Sequence, residues 1–215
     1  MRRAILFLML LMGQALWVAP LPAQQVMDRI VARVEDDIIM LSEVRELGRF
    51  QQLVEGKQAS DDGLLQQLID QWIVSSEAAA ARYPRPAEDE VNRELARLEK
   101  QFASPAAYRQ RLQELGLSPA AVRRLVERQM YLARYLDYKF RPAVQVDAAA
   151  IEKYYREELV PTLVARGQAA PALETVHDQI RELLVQREIS QRAAKWLDET
   201  RSRLKVELKT RGSGS

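Results

Sequence analysis

The chain has 215 residues and a mass of 24.6 kDa, with 32 Lys+Arg against 30 Asp+Glu, 47% hydrophobic residues, one His and no Cys. This composition supports one or two domains with a real core and excludes a disordered, collagenous or disulfide-stapled chain. Without Cys there is no thiolate zinc site, iron–sulfur cluster or cysteine nucleophile, and one His excludes any site built on two imidazoles.

The first 23 residues have the order of a secretory signal. Met1-Arg2-Arg3 is a short basic start, Ala4 to Ala19 is an apolar run broken by Gly13 and Gln14, and Pro20-Leu21-Pro22-Ala23 leads to Gln24. Cleavage is expected between Ala23 and Gln24, although Leu21 sits where a small side chain is preferred. The alternative is an uncleaved anchor, for which the run falls short of the ~20 apolar residues that span a bilayer. Arg2 and Arg3 are the only charged residues in this segment, so the rest of the chain has as many basic as acidic residues. The positive balance that invites a nucleic-acid reading belongs to export.

Residues 29–41 are rich in β-branched side chains and are interrupted by Glu35-Asp36-Asp37, which predicts a hairpin of strands 29–34 and 38–40. Two strands alone are marginal in water, and the only other strand-like stretch, 204–208, alternates with period two at the far end. The C-terminus is therefore expected to return to the hairpin. Between them the periodicity is helical. Ser42 is expected to cap a helix to Glu55, and a second runs over 61–82 to Tyr83-Pro84-Arg85-Pro86. A third spans 87–102. Ser104-Pro105 opens a fourth that ends at Gly116, and Ser118-Pro119 opens a fifth that ends at Pro142. Asp147 caps a sixth expected to end before Pro161, and a long helix covers 173–203. The expected fold is thus mainly α: a core over 24–210 with a helical domain at 42–160, a small antiparallel sheet made by the hairpin and the C-terminal strand, and a flexible tail at 211–215.

Two helices stand out. On the fifth, Val122, Leu125, Val126, Ala133, Leu136 and Phe140 share one face, and Tyr131, Tyr135 and Tyr138 lie on the opposite one. Either the tyrosines pack on a neighbouring helix or they form a contact surface for extended chains, since tyrosine joins apolar area to a hydrogen-bonding tip. On the last helix Val176, Ile180, Leu183 and Leu184 form one stripe, whereas Val185, Ile189, Ala193 and Trp196 lie nearly opposite. That shift is too large for drift of the helical period and predicts a strut buried against different partners along its length.

No constellation for catalysis, metal or cofactor binding can be assembled. His177 and Asp178 are adjacent, about 100° apart on a helix, and are not expected to form a dyad. Glu88-Asp89-Glu90 begins a helix, where the dipole explains the acids. Arg123, Arg124, Arg128, Arg134, Lys139 and Arg141 are interleaved with Glu127 and Asp137, the pattern of a solvated face.

The stretch Met27-Asp28-Arg29-Ile30-Val31-Ala32-Arg33-Val34, turning into Ile38-Ile39 and then Ser42-Glu43-Val44, resembles the opening of mature SurA-type periplasmic chaperones. Leu64 to Ala78, Glu90-Val91, Leu115-Gly116-Leu117-Ser118 and Ile151-Glu152-Lys153-Tyr154-Tyr155 resemble further segments of that family, in the same order. The resemblance covers about residues 27–160 and resumes in the last helix and strand. It implies a periplasmic, ATP-independent chaperone core whose partners are unfolded envelope or outer-membrane protein precursors, with no nucleic acid and no membrane span after signal removal. The family's parvulin isomerase domains, each on the order of a hundred residues, do not fit in the dozen residues between Leu159 and Leu173. Their typical histidine pair is also impossible here. The expectation is a non-enzymatic binder without cofactor, with Tyr131, Tyr135 and Tyr138 as client contacts. The alternatives are a prolyl isomerase, by family association, and an adaptor for one folded envelope partner.

Overall fold

A computed structural model describes residues 28–209. The expected signal segment, its cleavage site at Ala23 and Gln24, and the tail at 211–215 lie outside the described residues.

The chain is mainly α with a small antiparallel sheet. Strands β1 (Ile30–Val34) and β2 (Asp37–Met40) form a hairpin around Glu35 and Asp36, with Glu35 at φ 52. Strand β3 (Val206–Leu208) pairs antiparallel with the other side of β1, giving the order β2-β1-β3. Ala32 lies opposite both Ile39 and Leu208, and a register shift between Ile30 and Ala32 lets Val31 and Ala32 both turn inward. The Glu35 N–H donates to the Lys205 carbonyl (3.0 Å), the Lys205 N–H donates to Glu35 Oε1 (2.8 Å), and the Lys209 N–H donates to the Val31 carbonyl (2.9 Å). The returning strand is tied at both ends. The expected sheet is present, with its C-terminal strand starting two residues later than the period-two pattern proposed.

Helix α1 (Leu41–Glu55) follows β2 without a loop. Here the structure corrects the expected cap. Ser42 lies inside the helix, Met40 is the capping position, and Glu43 reaches back to accept the Met40 N–H at 2.8 Å. Asp28, upstream of β1, accepts the Ser42 N–H at 3.1 Å and also its hydroxyl. A carboxylate just upstream of the hairpin does the work assigned to Ser42, because the strand and helix meet there without slack.

Helices α2 (Asp61–Ala80), α4 (Pro105–Leu115) and α5 (Pro119–Phe140) begin as expected: Ser60, Ser104 and Ser118 accept the N–H of Gly63, Ala107 and Ala121. Gly116 closes α4 at φ 62. Helix α3 (Glu88–Glu99) is shorter than expected, with Glu90 accepting the Ala87 N–H at 2.8 Å.

A 3₁₀ turn (Arg141–Ala143) leads to α6 (Ala148–Tyr154), whose first turn is capped by Asp147. The helix does not stop before Pro161. A π-helical segment (Tyr155–Leu159) carries it into α7 (Val160–Ala165), and the Val160 N–H donates five residues back to the Tyr155 carbonyl. The wider turn makes room for the proline ring, and Pro161 then occupies the first turn of α7, where its missing N–H is tolerated.

Helix α8 (Leu173–Arg201) contacts α6, α5 and α2. Ile180, Ile189 and Ala193 are buried, but Leu183 is 43% exposed, so the first expected stripe is covered only in part.

The core has three connected parts. One joins the sheet to α1 and α2 around Val34, Leu64 and Ile73, with Trp196, Leu204 and Val206 packed on it from the C-terminal segment. A second joins α1, α3, α4 and α5 around Phe50 and Val122. The third lies between α2 and α5, with Tyr131 and Tyr135 against Val74, Ala78 and Tyr83.

Candidate binding groove beside the hairpin

Helix α2 ends in a tight reversal, with the Tyr83 N–H donating to the Ala78 carbonyl at 2.9 Å. That reversal places the Tyr83 ring against the tyrosine face of α5. Its centroid is 6.1 Å from Tyr131, 5.6 Å from Tyr135 and 5.2 Å from Tyr138. The Tyr131 hydroxyl donates to the Tyr83 carbonyl (3.4 Å), and the Tyr83 hydroxyl donates to the Arg134 carbonyl (3.3 Å). Tyr131 and Tyr135 are 8% and 4% exposed, whereas Tyr138 is 62% exposed. Of the three tyrosines singled out as client contacts, only Tyr138 is open to a partner. The other two are interior because Tyr83 covers them.

An opening lies next to this cluster. A groove of about 490 Å³ runs between β2, α2 and α5. Its apolar lining includes Ile38, Leu68, Trp72 and Tyr131, and Ile38 is 46% exposed. Trp72 is held in place by its indole N–H, which donates to Asp37 at 2.7 Å across the start of β2. Strand β2 is an outer strand of the sheet, and it is the strand that borders the groove.

Charges line the same groove. Arg85 lies 3.5 Å from Glu127 and stacks over the Tyr131 ring at 5.5 Å, while Arg124 reaches Glu46, outside the lining, at 3.3 Å. Glu43 is occupied by the Met40 N–H. Arg128 makes no hydrogen bond or ion pair among the described residues, and the buried amide oxygen of Gln71 has no donor there. The charge pattern assigned Arg124 and Arg128 to a solvated face, and both are exposed where they line the groove. Tyr131 is the one expected client contact that lines the groove, and Ile38 and Trp72 carried no local sign of it.

Away from the groove, stronger ion pairs fasten the helices. Arg134 of α5 makes two hydrogen bonds of 2.8 Å to Glu90 of α3, which with the Ala87 N–H hold the Glu90 pKa down at about 2. Arg141 bridges Asp137 and Glu182, and with Gln186 it holds Glu182 at about 2 as well. These pairs are structural: each of the two acids is matched by an arginine of another element, and neither faces the groove. His177 Nδ1 lies 3.2 Å from Asp178 Oδ1, so the two side chains do meet, contrary to the expectation from their helical spacing. Both stems are short enough to swing toward each other at the helix surface. Asp178 is 89% exposed and is shared with Arg181, a solvated arrangement.

A second groove of about 500 Å³ lies beside β3, lined by Val31, Leu41, Val44, Leu65 and Leu208. No group of acids and His suited to hold a metal ion occurs among the described residues, and no helix among them is long and apolar enough to cross a membrane. No protein-family model matches the chain, and no characterised protein matches it in sequence.

Proposed function

We propose that the mature chain is a periplasmic, ATP-independent holdase that binds extended segments of unfolded envelope proteins, outer-membrane precursors among them. The observation that carries this reading is the groove bordered by β2: an outer strand, an exposed isoleucine and a fixed tryptophan face one channel. An extended chain laid there gains main-chain hydrogen bonds from a strand edge and buries its alternate side chains on Ile38 and Trp72. No step of that process needs a nucleotide or a reacting group. The secretory-type N-terminus and the ordered likeness to SurA-type chaperones support the same compartment and client class.

The test is suppression of aggregation of an unfolded outer-membrane precursor by the protein. Wild type should keep the precursor soluble, and Ile38→Glu, which changes an exposed side chain, should do so poorly at unchanged helicity. Full activity in Ile38→Glu would remove the groove from the reading. Turnover of a proline peptide would make the protein an isomerase, and recovery of one stoichiometric folded partner from an envelope extract would make it an adaptor.

A further inference from the structure

We infer that the groove beside β2 selects extended segments in which apolar side chains flank a carboxylate; this rests on the holdase reading and names the chemistry of its client. Two features of the groove lead there. First, its two lining acids are already satisfied, Glu43 by the Met40 N–H at 2.8 Å and Glu127 by Arg85 at 3.5 Å. Second, Arg128 lines the same wall without any ion pair among the described residues, one turn from Arg124, whose partner Glu46 lies outside the lining. The groove therefore offers apolar area at Ile38 and Trp72, a strand edge at β2, and an unused cation at Arg128. An extended segment meets all three when apolar residues point down and an Asp or Glu lies toward α5. A lysine at that position would face Arg124 and Arg128 instead.

The probes are three fluorescein-labelled ten-residue peptides of alternating Val and Ser with Glu, Gln or Lys at one central position, titrated by anisotropy. The Glu peptide should bind about threefold more tightly than the Gln peptide, as an exposed charge pair allows, and the Lys peptide most weakly. Added salt should narrow that spread. Arg128→Gln should bring the Glu and Gln peptides together, and Arg124→Glu/Arg128→Glu should put the Lys peptide first, with the circular dichroism spectrum unchanged. Equal binding of all three peptides, or a preference that survives the double reversal, overturns carboxylate selection. If aggregation suppression persists in that case, the holdase reading stands without it. Failure of both peptide binding and suppression removes both. Dimerisation that Ile38→Glu abolishes assigns the groove to a second copy and also overturns the inference.

Discussion

Phe50, Leu64 and Ile73 are each 1% exposed, Leu64 and Ile73 in the core between the sheet, α1 and α2, and Phe50 in the core that joins α1 to α3, α4 and α5. Replacing such a side chain with Ala removes its transfer energy and leaves a cavity, so Phe50→Ala should lower unfolding free energy by about 3–5 kcal/mol in urea titrations. The tyrosines separate by the same logic. Tyr135→Ser should lower the thermal midpoint clearly, because a 4% exposed ring leaves the Tyr83 cluster, whereas Tyr138→Ser, at a 62% exposed position, should leave it within about 1 °C. At Gly48 in α1 an added Cβ would stand 2.9 Å from Leu64 Cδ1. Its hydrogen is what lets α1 and α2 approach, and Gly48→Leu should destabilise by at least about 2 kcal/mol through overpacking.

At the scale of elements, the helices are started by local chemistry and held by arginine clamps. Glu90 and Glu182 are held at about 2 against an ordinary 4.5. Because the folded pKa lies below the unfolded one, the unfolded chain takes up protons first as pH falls. Their stabilisation is complete above about pH 4.5 and is lost progressively toward pH 2. Urea midpoints measured across that window should fall, and Glu90→Gln/Glu182→Gln should flatten the decline while lowering the plateau above it. Helix starts were legible before the fold was known wherever the signal was contained in four residues, as at Ser104-Pro105 and Ser118-Pro119. Two element boundaries were not. Ser42 is displaced from its cap by the side-chain carboxylates of Asp28 and Glu43, and Pro161 is carried past by a π-helical segment closed by the Val160 N–H on the Tyr155 carbonyl, neither of which the Ser or Pro signal itself contains.

Across the whole molecule, β3 closes the first core against the hairpin, and the chain ends that meet are about 170 residues apart, Glu35 with Lys205. Ending the chain at residue 203 should uncover Val34, which is 0% exposed, and leave a hairpin that α1 and α2 alone cover. Faster hydrogen exchange in β1 and β2, with slower change in α3 and α4, is the expected outcome; uniform loss of protection would mean that the sheet and the helical part unfold as one unit.

Period, caps and turn chemistry determined the mainly α fold, most helix ends and the return of the C-terminal strand, because each depends on residues a few positions apart or on one unmistakable alternation. The sequence also marked the tyrosine face of α5 but could not say which way it looked. Tertiary structure decided that, since Tyr83 arrives from a reversal some 50 positions earlier and covers Tyr131 and Tyr135. The groove was decided in the same way. Ile38, Trp72, Arg85 and Arg128 come from four separate segments, and only the packing of β2, α2 and α5 puts an exposed apolar side chain and an unpaired cation into one channel.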